Sequence, residues 1–141
     1  MSAPFEFPAR VQLHDVDAAG VMFFAHYYRH AHDAYEAFMQ AIGFPLPELI
    51  ASGALLPLVR SEADHRQPAR HGDALTIALG VLRIGDSSFT LEYRFVDHHQ
   101  RQLAHLRTTH VMLDPVAQRP QGLPEPLRRQ LTRYILADAD D

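Results

Sequence analysis

Residues 13–36 read Leu-His-Asp-Val-Asp-Ala-Ala-Gly-Val-Met-Phe-Phe-Ala-His-Tyr-Tyr-Arg-His-Ala-His-Asp-Ala-Tyr-Glu. An apolar-flanked segment ends in two carboxylates, Asp15 and Asp17. Ala18-Ala19-Gly20 then reads as a short turn, and helical periodicity begins at Phe24. The pattern sets a charged oxygen close to a helix N-terminus, where the first backbone N–H groups lack intrahelical partners and favour negative charge. A carboxylate beside such amides can attack or hydrate an activated acyl group without Ser or Cys.

Working outward, Phe24, Tyr28, Ala31, Tyr35, Phe38 and Ile42 step by four and three and mark one helix face. His26, Arg29, His30, Asp33, Glu36 and Gln40 fall mostly on the other. Gly43 and Pro45 supply a C-terminal turn and a breaker. Before the motif, Phe5 to Leu13 alternates imperfectly and predicts a strand. After the helix, Pro47 to Ala51 fits one helical turn.

A meander of strands follows. Leu55 to Asp64 is a first run, interrupted at Pro57. Leu75, Ile77, Leu79 and Val81 alternate with smaller or polar residues, as do Phe89, Leu91, Tyr93 and Phe95 after the Gly85-Asp86-Ser87 turn. Asp97 to Gln102 predicts a second turn and Leu103 to Leu113 a last long strand, all as consecutive antiparallel hairpins. Pro126 to Leu136 predicts a C-terminal helix with Pro in its first turn. Asp138, Asp140 and Asp141 read as frayed. One early long helix followed by antiparallel strands is an α+β plan, with the helix wrapped by a curved sheet. Open sheet edges and a second helix face predict a homo-oligomer joined through edge strands.

Composition narrows the function. A length of 141 residues suits one domain spanning 1–141, and 47% hydrophobic residues can fill a core. No apolar run approaches the roughly 20 residues that cross a bilayer, and no signal peptide is expected at the N-terminus. The chain has no cysteine, which removes disulfides, thiolate nucleophiles and Cys-based zinc sites and fits a reducing, cytoplasmic setting. With a net charge of −4 and scattered basic residues, a nucleic-acid surface is not expected.

The motif Asp15-x-Asp17-x-Ala19-Gly20-Val21-x-Phe23-Phe24-x-x-Tyr27 resembles hotdog-fold acyl-CoA thioesterases of the 4-hydroxybenzoyl-CoA thioesterase type. Other stretches are similar to the 1,4-dihydroxy-2-naphthoyl-CoA hydrolases within it. They are His32 to Phe38, Leu56-Pro57-Leu58-Val59, Pro68 to Leu75, Arg107 to Val111 and Leu123-Pro124-Glu125-Pro126. The resemblance implies hydrolysis of an aromatic acyl-CoA in menaquinone or phylloquinone biosynthesis, no cofactor, and a dimer or homotetramer. It implies that Asp17 is the nucleophile or general base and that the Phe24 N–H polarises the thioester carbonyl. Implied substrate contacts are Gly20, His26, His32, Pro57, Arg83 and Ser88.

Each residue also has a plainer reading. Asp before Gly commonly bonds its own turn, and Asp15 reads as loop support or a cap. His26, His30 and Asp33 stand at i, i+4 and i+7, a spacing that can hold a metal. With Arg29 and Glu36 beside them a solvated or interface face fits better, and no metal is expected. A second hotdog branch carries its catalytic carboxylate on the central helix, where Glu36 falls. Because the Asp loop matches the first branch, Glu36 reads as structural or interfacial. Arg60, Arg66 and Arg70 are further cations for the CoA phosphates. Alternatives are a 4-hydroxybenzoyl-CoA or short-chain thioesterase, an enoyl-thioester hydratase, and a non-catalytic acyl-CoA-binding protein. The Gly-x-Ser-x-Gly elbow of serine hydrolases is absent.

Overall fold

The computed structural model describes residues 3–137, so the expectation for Asp138, Asp140 and Asp141 lies outside the described residues. In chain order the elements are β1 (Phe5–Arg10), α1 (Phe24–Ala41), α2 (Leu46–Ala51), β2 (Leu58–His65), β3 (Ala74–Ile84), β4 (Ser88–Asp97), β5 (Gln102–Val111) and α3 (Glu125–Thr132), with a 3-10 turn at Leu13–Asp15. The five strands form one antiparallel sheet in the order β1-β3-β4-β5-β2.

The alternation read in β3 and β4 sorts the sheet into two faces. Leu75, Ile77, Leu79 and Val81 join Phe89, Leu91, Tyr93 and Phe95 on the inner face, all buried. Helix α1 lies across them. Tyr27 meets Phe95 at 5.4 Å between ring centroids, Tyr35 stacks on His110 at 4.4 Å, and Phe38 meets the edge of Phe5 at 5.6 Å. The outer face is polar and charged. There Glu92 is buried under the Arg94 and Arg107 side chains, with His105 Nε2 2.5 Å from its carboxylate.

Several expectations need correction. The inward face of α1 is Tyr27, His30, Ala31, Ala34, Tyr35, Phe38 and Met39, rotated from the stripe that began at Phe24. Phe24 is 62% exposed. His30, assigned to the outer side, is buried against a carboxylate rather than among apolar groups. The first strand stops at Arg10, and Leu13 turns outward in the 3-10 turn.

The strands are also not all consecutive hairpins. β3, β4 and β5 are, but β2 pairs with β5 and β1 pairs with β3. The chain after β2 crosses the sheet, held where the Met22 N–H donates to the Ala69 carbonyl at 2.7 Å. Helix α3 ends at Thr132, and Tyr134 to Leu136 extend the sheet beside Val81. The outer strands are β1 and β2, and the β2 edge is flanked by exposed Leu55, Leu58 and Val59. Among the described residues no helix is long and apolar enough to cross a membrane.

Candidate active site

The loop between β1 and α1 is fastened by main-chain bonds before any side chain is considered. Val11 exchanges bonds with the Gly72–Asp73 turn at 3.0 and 2.9 Å, Val16 bridges to Met22, and the Phe23 N–H donates to the Asp15 carbonyl at 2.9 Å. Inside this frame the Asp17 N–H donates to Val21 O at 3.0 Å and the Gly20 N–H to Asp17 O at 2.9 Å, closing a tight turn. Gly20 sits at φ 79°, in the left-handed region that glycine enters without a Cβ penalty.

Asp17 is partly exposed at the turn, and its Oδ1 accepts from the Ala19 N–H at 2.8 Å. This is the turn-forming bond of the plain reading, and it leaves Oδ2 free among the described residues. Past the turn, Phe23 holds an extended backbone with no side-chain cap, so the N–H groups of Phe24 and Ala25 open the helix with no acceptor among the described residues. The arrangement sets a carboxylate oxygen and unpaired amides on one short, rigid segment.

The segment is anchored by Asp15, whose side chain is fully buried. It accepts from the Gln12 N–H at 2.8 Å, from His30 Nε2 at 2.9 Å and from the Arg29 guanidinium. Burial pushes its carboxyl pKa up, but the Gln12 amide, His30 and Arg29 outweigh that and hold it at about 2. The plain reading of Asp15 as support is therefore the one this geometry carries. The 3-10 turn points Asp15 inward while Asp17 faces out.

Three cavities bear on the site, of which one touches this segment at Met22 and Phe24. One of about 320 Å³ is lined by Met22, Phe24, Tyr27, His65, Gln67 and Pro68, with Arg66 at its rim. A second, of about 350 Å³, is bounded by Tyr28 and His32 of α1 and Leu58 of β2, over Tyr93, Thr108 and His110. A third, of about 580 Å³ on the outer sheet face, gathers Arg60, Arg83, Ser88 and Arg107. Arg83 and Ser88 are thus brought together, with Arg60 beside them. His32 and Phe24 sit at separate cavities, and Asp17 and Gly20 line neither. His26 packs edge-on against Phe23 at 6.0 Å, and Pro57 accepts the Val111 N–H at 3.1 Å. Among the described residues no group of three or more His, Asp and Glu could hold a metal.

Sequence reasoning missed two groups. The first is the Asp15–His30 pair, signalled by a histidine at the spacing of Tyr27 and Ala34, where an imidazole must find a polar partner. The second is the buried polar column under the second cavity. There Thr108 Oγ1 stands 2.8 Å from Tyr93 OH and 3.0 Å from His110 Nε2. Burial pushes the His110 imidazole pKa down to about 4, the Leu56 main chain offsetting part of this and His32 adding to it.

A helix crossing the inner face of a five-stranded sheet ordered β1-β3-β4-β5-β2, with an acidic loop at its start, defines the hotdog class. The chain belongs to the thioesterase-like superfamily, whose family model matches residues 11–131. The 1,4-dihydroxy-2-naphthoyl-CoA hydrolase of Synechococcus elongatus is 34% identical over 138 residues, covering 96% of this chain and 99% of the relative. The crystal structure of a 1,4-dihydroxy-2-naphthoyl-CoA thioesterase from Synechocystis superposes with a TM-score of 0.86 at 28% identity, covering 91% of this chain and 95% of that one. A gentisyl-coenzyme A thioesterase superposes with a TM-score of 0.81 at 27% identity, covering 91% and 99%. The resemblance read from the Asp loop is borne out for family and fold.

Proposed function

We propose that the protein is an acyl-CoA thioesterase that releases an aromatic acid, with 1,4-dihydroxy-2-naphthoyl-CoA as the leading substrate. The observation that carries the reading is the outward-facing Asp17 carboxylate on a turn bonded into the start of α1, ahead of the unpaired Phe24 and Ala25 amides. Identity to the naphthoyl-CoA hydrolases over nearly the whole chain selects the substrate class. On this reading it works in the cytoplasm, in quinone biosynthesis.

The chemistry follows from what these atoms can do. The thioester carbonyl oxygen accepts from the Phe24 N–H, which stabilises negative charge as the carbon becomes tetrahedral; one such donor is worth about 3 kcal/mol in the transition state. Asp17 either adds to the carbonyl carbon or takes a proton from an attacking water. In both routes the C–S bond breaks, and CoA leaves as thiolate and is protonated. Where Asp17 adds, water then cleaves the mixed anhydride and frees the Asp17 carboxylate. Where Asp17 acts as base, water supplies the second oxygen of the acid directly. A thioester suits this weak nucleophile because the thiolate departs readily.

The remaining contacts are assigned by placement. Arg83 has no carboxylate partner among the described residues and shares its cavity with Arg60 and Ser88, which suits CoA phosphates. His32 borders the second cavity and suits the aromatic end. The free β2 edge, flanked by Leu55, Leu58 and Val59, suits pairing with a second copy into a dimer, and pairs of dimers into a tetramer. A smaller hydroxylated ring is the second reading, favoured by the likeness to the gentisyl-coenzyme A thioesterase.

A panel of acyl-CoAs assayed by free-thiol detection tests the proposal. Wild type is expected to release thiol fastest from the naphthoyl thioester, and Asp17→Asn to be nearly inactive. No release from any thioester sinks the enzymatic reading, and full activity in Asp17→Asn moves the chemistry to another carboxylate, Glu36 first.

A further inference from the structure

Under the 350 Å³ cavity the inner face of the sheet carries a cluster of buried polar groups. Tyr93 of β4 and Thr108 and His110 of β5 project inward and form a continuous hydrogen-bonded column, Tyr93 OH to Thr108 Oγ1 to His110 Nε2, at 2.8 and 3.0 Å. All three are at least nine-tenths buried, and all three reach the wall of the 350 Å³ cavity. The His110 ring is clamped between Tyr35, at 4.4 Å and 14°, and Phe89, at 5.3 Å and 20°.

The column is not self-sufficient. Tyr35 OH is buried without a hydrogen-bond partner among the described residues, and His110 Nδ1 has only the nearby Leu56 main chain, at less than good hydrogen-bond geometry. Apolar side chains of the same shape would hold this part of the sheet as well or better, so core packing does not call for three polar groups in a row. A neutral imidazole donates at one nitrogen and accepts at the other, and hydroxyls rotate. The column can therefore run in either direction, presenting Tyr93 to a ligand as donor or as acceptor. Arg29 and Asp33, paired with each other, complete the lining on the α1 side. The aromatic groups Tyr28, Tyr93 and His110, with the buried, adaptable Thr108 column, suit an aromatic ring bearing a hydroxyl.

The position fits the reaction. Tyr28 and His32, at the cavity mouth, follow Phe24 by one and two turns on the same helix stripe, roughly 6 and 12 Å along the axis. We infer that this cavity receives a hydroxylated aromatic ring and that the Tyr93–Thr108–His110 column reads its hydroxyl group. The inference rests on the aromatic-thioesterase reading and adds to it the residues that separate one aromatic acid from another.

The test compares benzoyl-CoA with its para-hydroxy counterpart, and 2-naphthoyl-CoA with the 1,4-dihydroxy compound, on wild type and Thr108→Val. Valine keeps the shape of threonine and removes the hydroxyl that joins Tyr93 to His110. Wild type is expected to prefer each hydroxylated member by at least about tenfold in kcat/KM, because a site built around a hydroxyl rejects the analogue that lacks it. In the variant that ratio is expected to fall at least about tenfold. A ratio near one in wild type, or an equal loss on both members in the variant, overturns the inference and leaves the thioesterase reading standing.

A second measurement needs no variant. The imidazole nitrogen shifts of His110 in the wild-type protein are followed by NMR during titration with para-hydroxybenzoate and with benzoate. Movement with the hydroxylated acid alone supports the inference, and the same response to both, or to neither, overturns it. If no thioester in the panel releases thiol, the enzymatic reading fails and this titration judges the cavity independently.

Discussion

His30 Nε2 stands 2.9 Å from the buried carboxylate of Asp15, joining the second turn of α1 to the loop that precedes it. The same carboxylate takes the Gln12 amide and the Arg29 guanidinium, so one side chain ties together three points of the segment. This relationship, rather than an apolar contact, sets where the helix begins relative to Asp17.

Replacing Asp15 should therefore unfold the loop before it touches the chemistry. Removing one partner of a buried charged pair typically costs 3–5 kcal/mol, so Asp15→Ala is expected to lose about 3 kcal/mol in urea unfolding. The folded carboxyl lies at about 2 against an ordinary 3.8. Its contribution is thus present above pH ~4 and is lost as pH falls from about 4 towards about 2. Asp15→Ala should show a flatter stability profile across that window, and an unchanged slope would remove the pair from the acid response.

Asp17→Asn should do the opposite. The amide keeps an oxygen for the Ala19 N–H, so stability should change by less than about 0.5 kcal/mol in the same urea experiment. Thiol release should fall by roughly 10²–10⁴. A large loss of stability with little loss of rate would reduce Asp17 to the turn-forming residue of its plain reading.

His110 supplies a second pH signature, at milder acidity. Burial holds its imidazole at about 4, below the ordinary 6.5, so the unfolded chain takes up the proton first as pH falls. The sign is loss of stability on acidification, with the contribution present in full above pH ~6.5 and a loss on the order of 2–3 kcal/mol by pH ~4. In His110→Phe the slope between those values should largely disappear in equilibrium unfolding measured at several pH values.

At Gly80 a Cβ would lie 2.6 Å from Leu136 Cγ, in the stretch that runs beside β3 after α3. Gly80→Ala should cost about 1–2 kcal/mol by overpacking. Adding Leu136→Ala should recover most of that loss, a coupling a double-mutant cycle reads directly. Additive losses would mean the C-terminal stretch is not seated on β3.

Local pattern makes much of this legible. Helix α1 starts at Phe24 and stops before Gly43 as its periodicity and breakers indicate, and the alternation of β3 and β4 sorts their faces correctly. The phase of α1 differs because hydrophobicity cannot register His30, which is inside on account of an ionic partner. Nor can it show that Phe24, at the helix start, lies in the open. The pairing of β2 with β5 depends on a crossing over the sheet, which adjacency in sequence cannot reveal. At the candidate site, Arg83 and Ser88 line one cavity on the outer sheet face. His26 packs its ring against Phe23. Thr108 and Tyr93 carry no local signal, because each looks like an ordinary strand residue.

Asp15 and Asp17 are two positions apart, yet one is sealed inside the protein and the other is turned towards solvent. On the proposed reading, the mount and the tool are therefore separate parts. Exchanging the residue at 17 leaves the fixture intact, so this loop can trial different reactive groups, or none, in front of the same pair of amides. A fold arranged in this way can change its chemistry through substitutions that its stability scarcely feels.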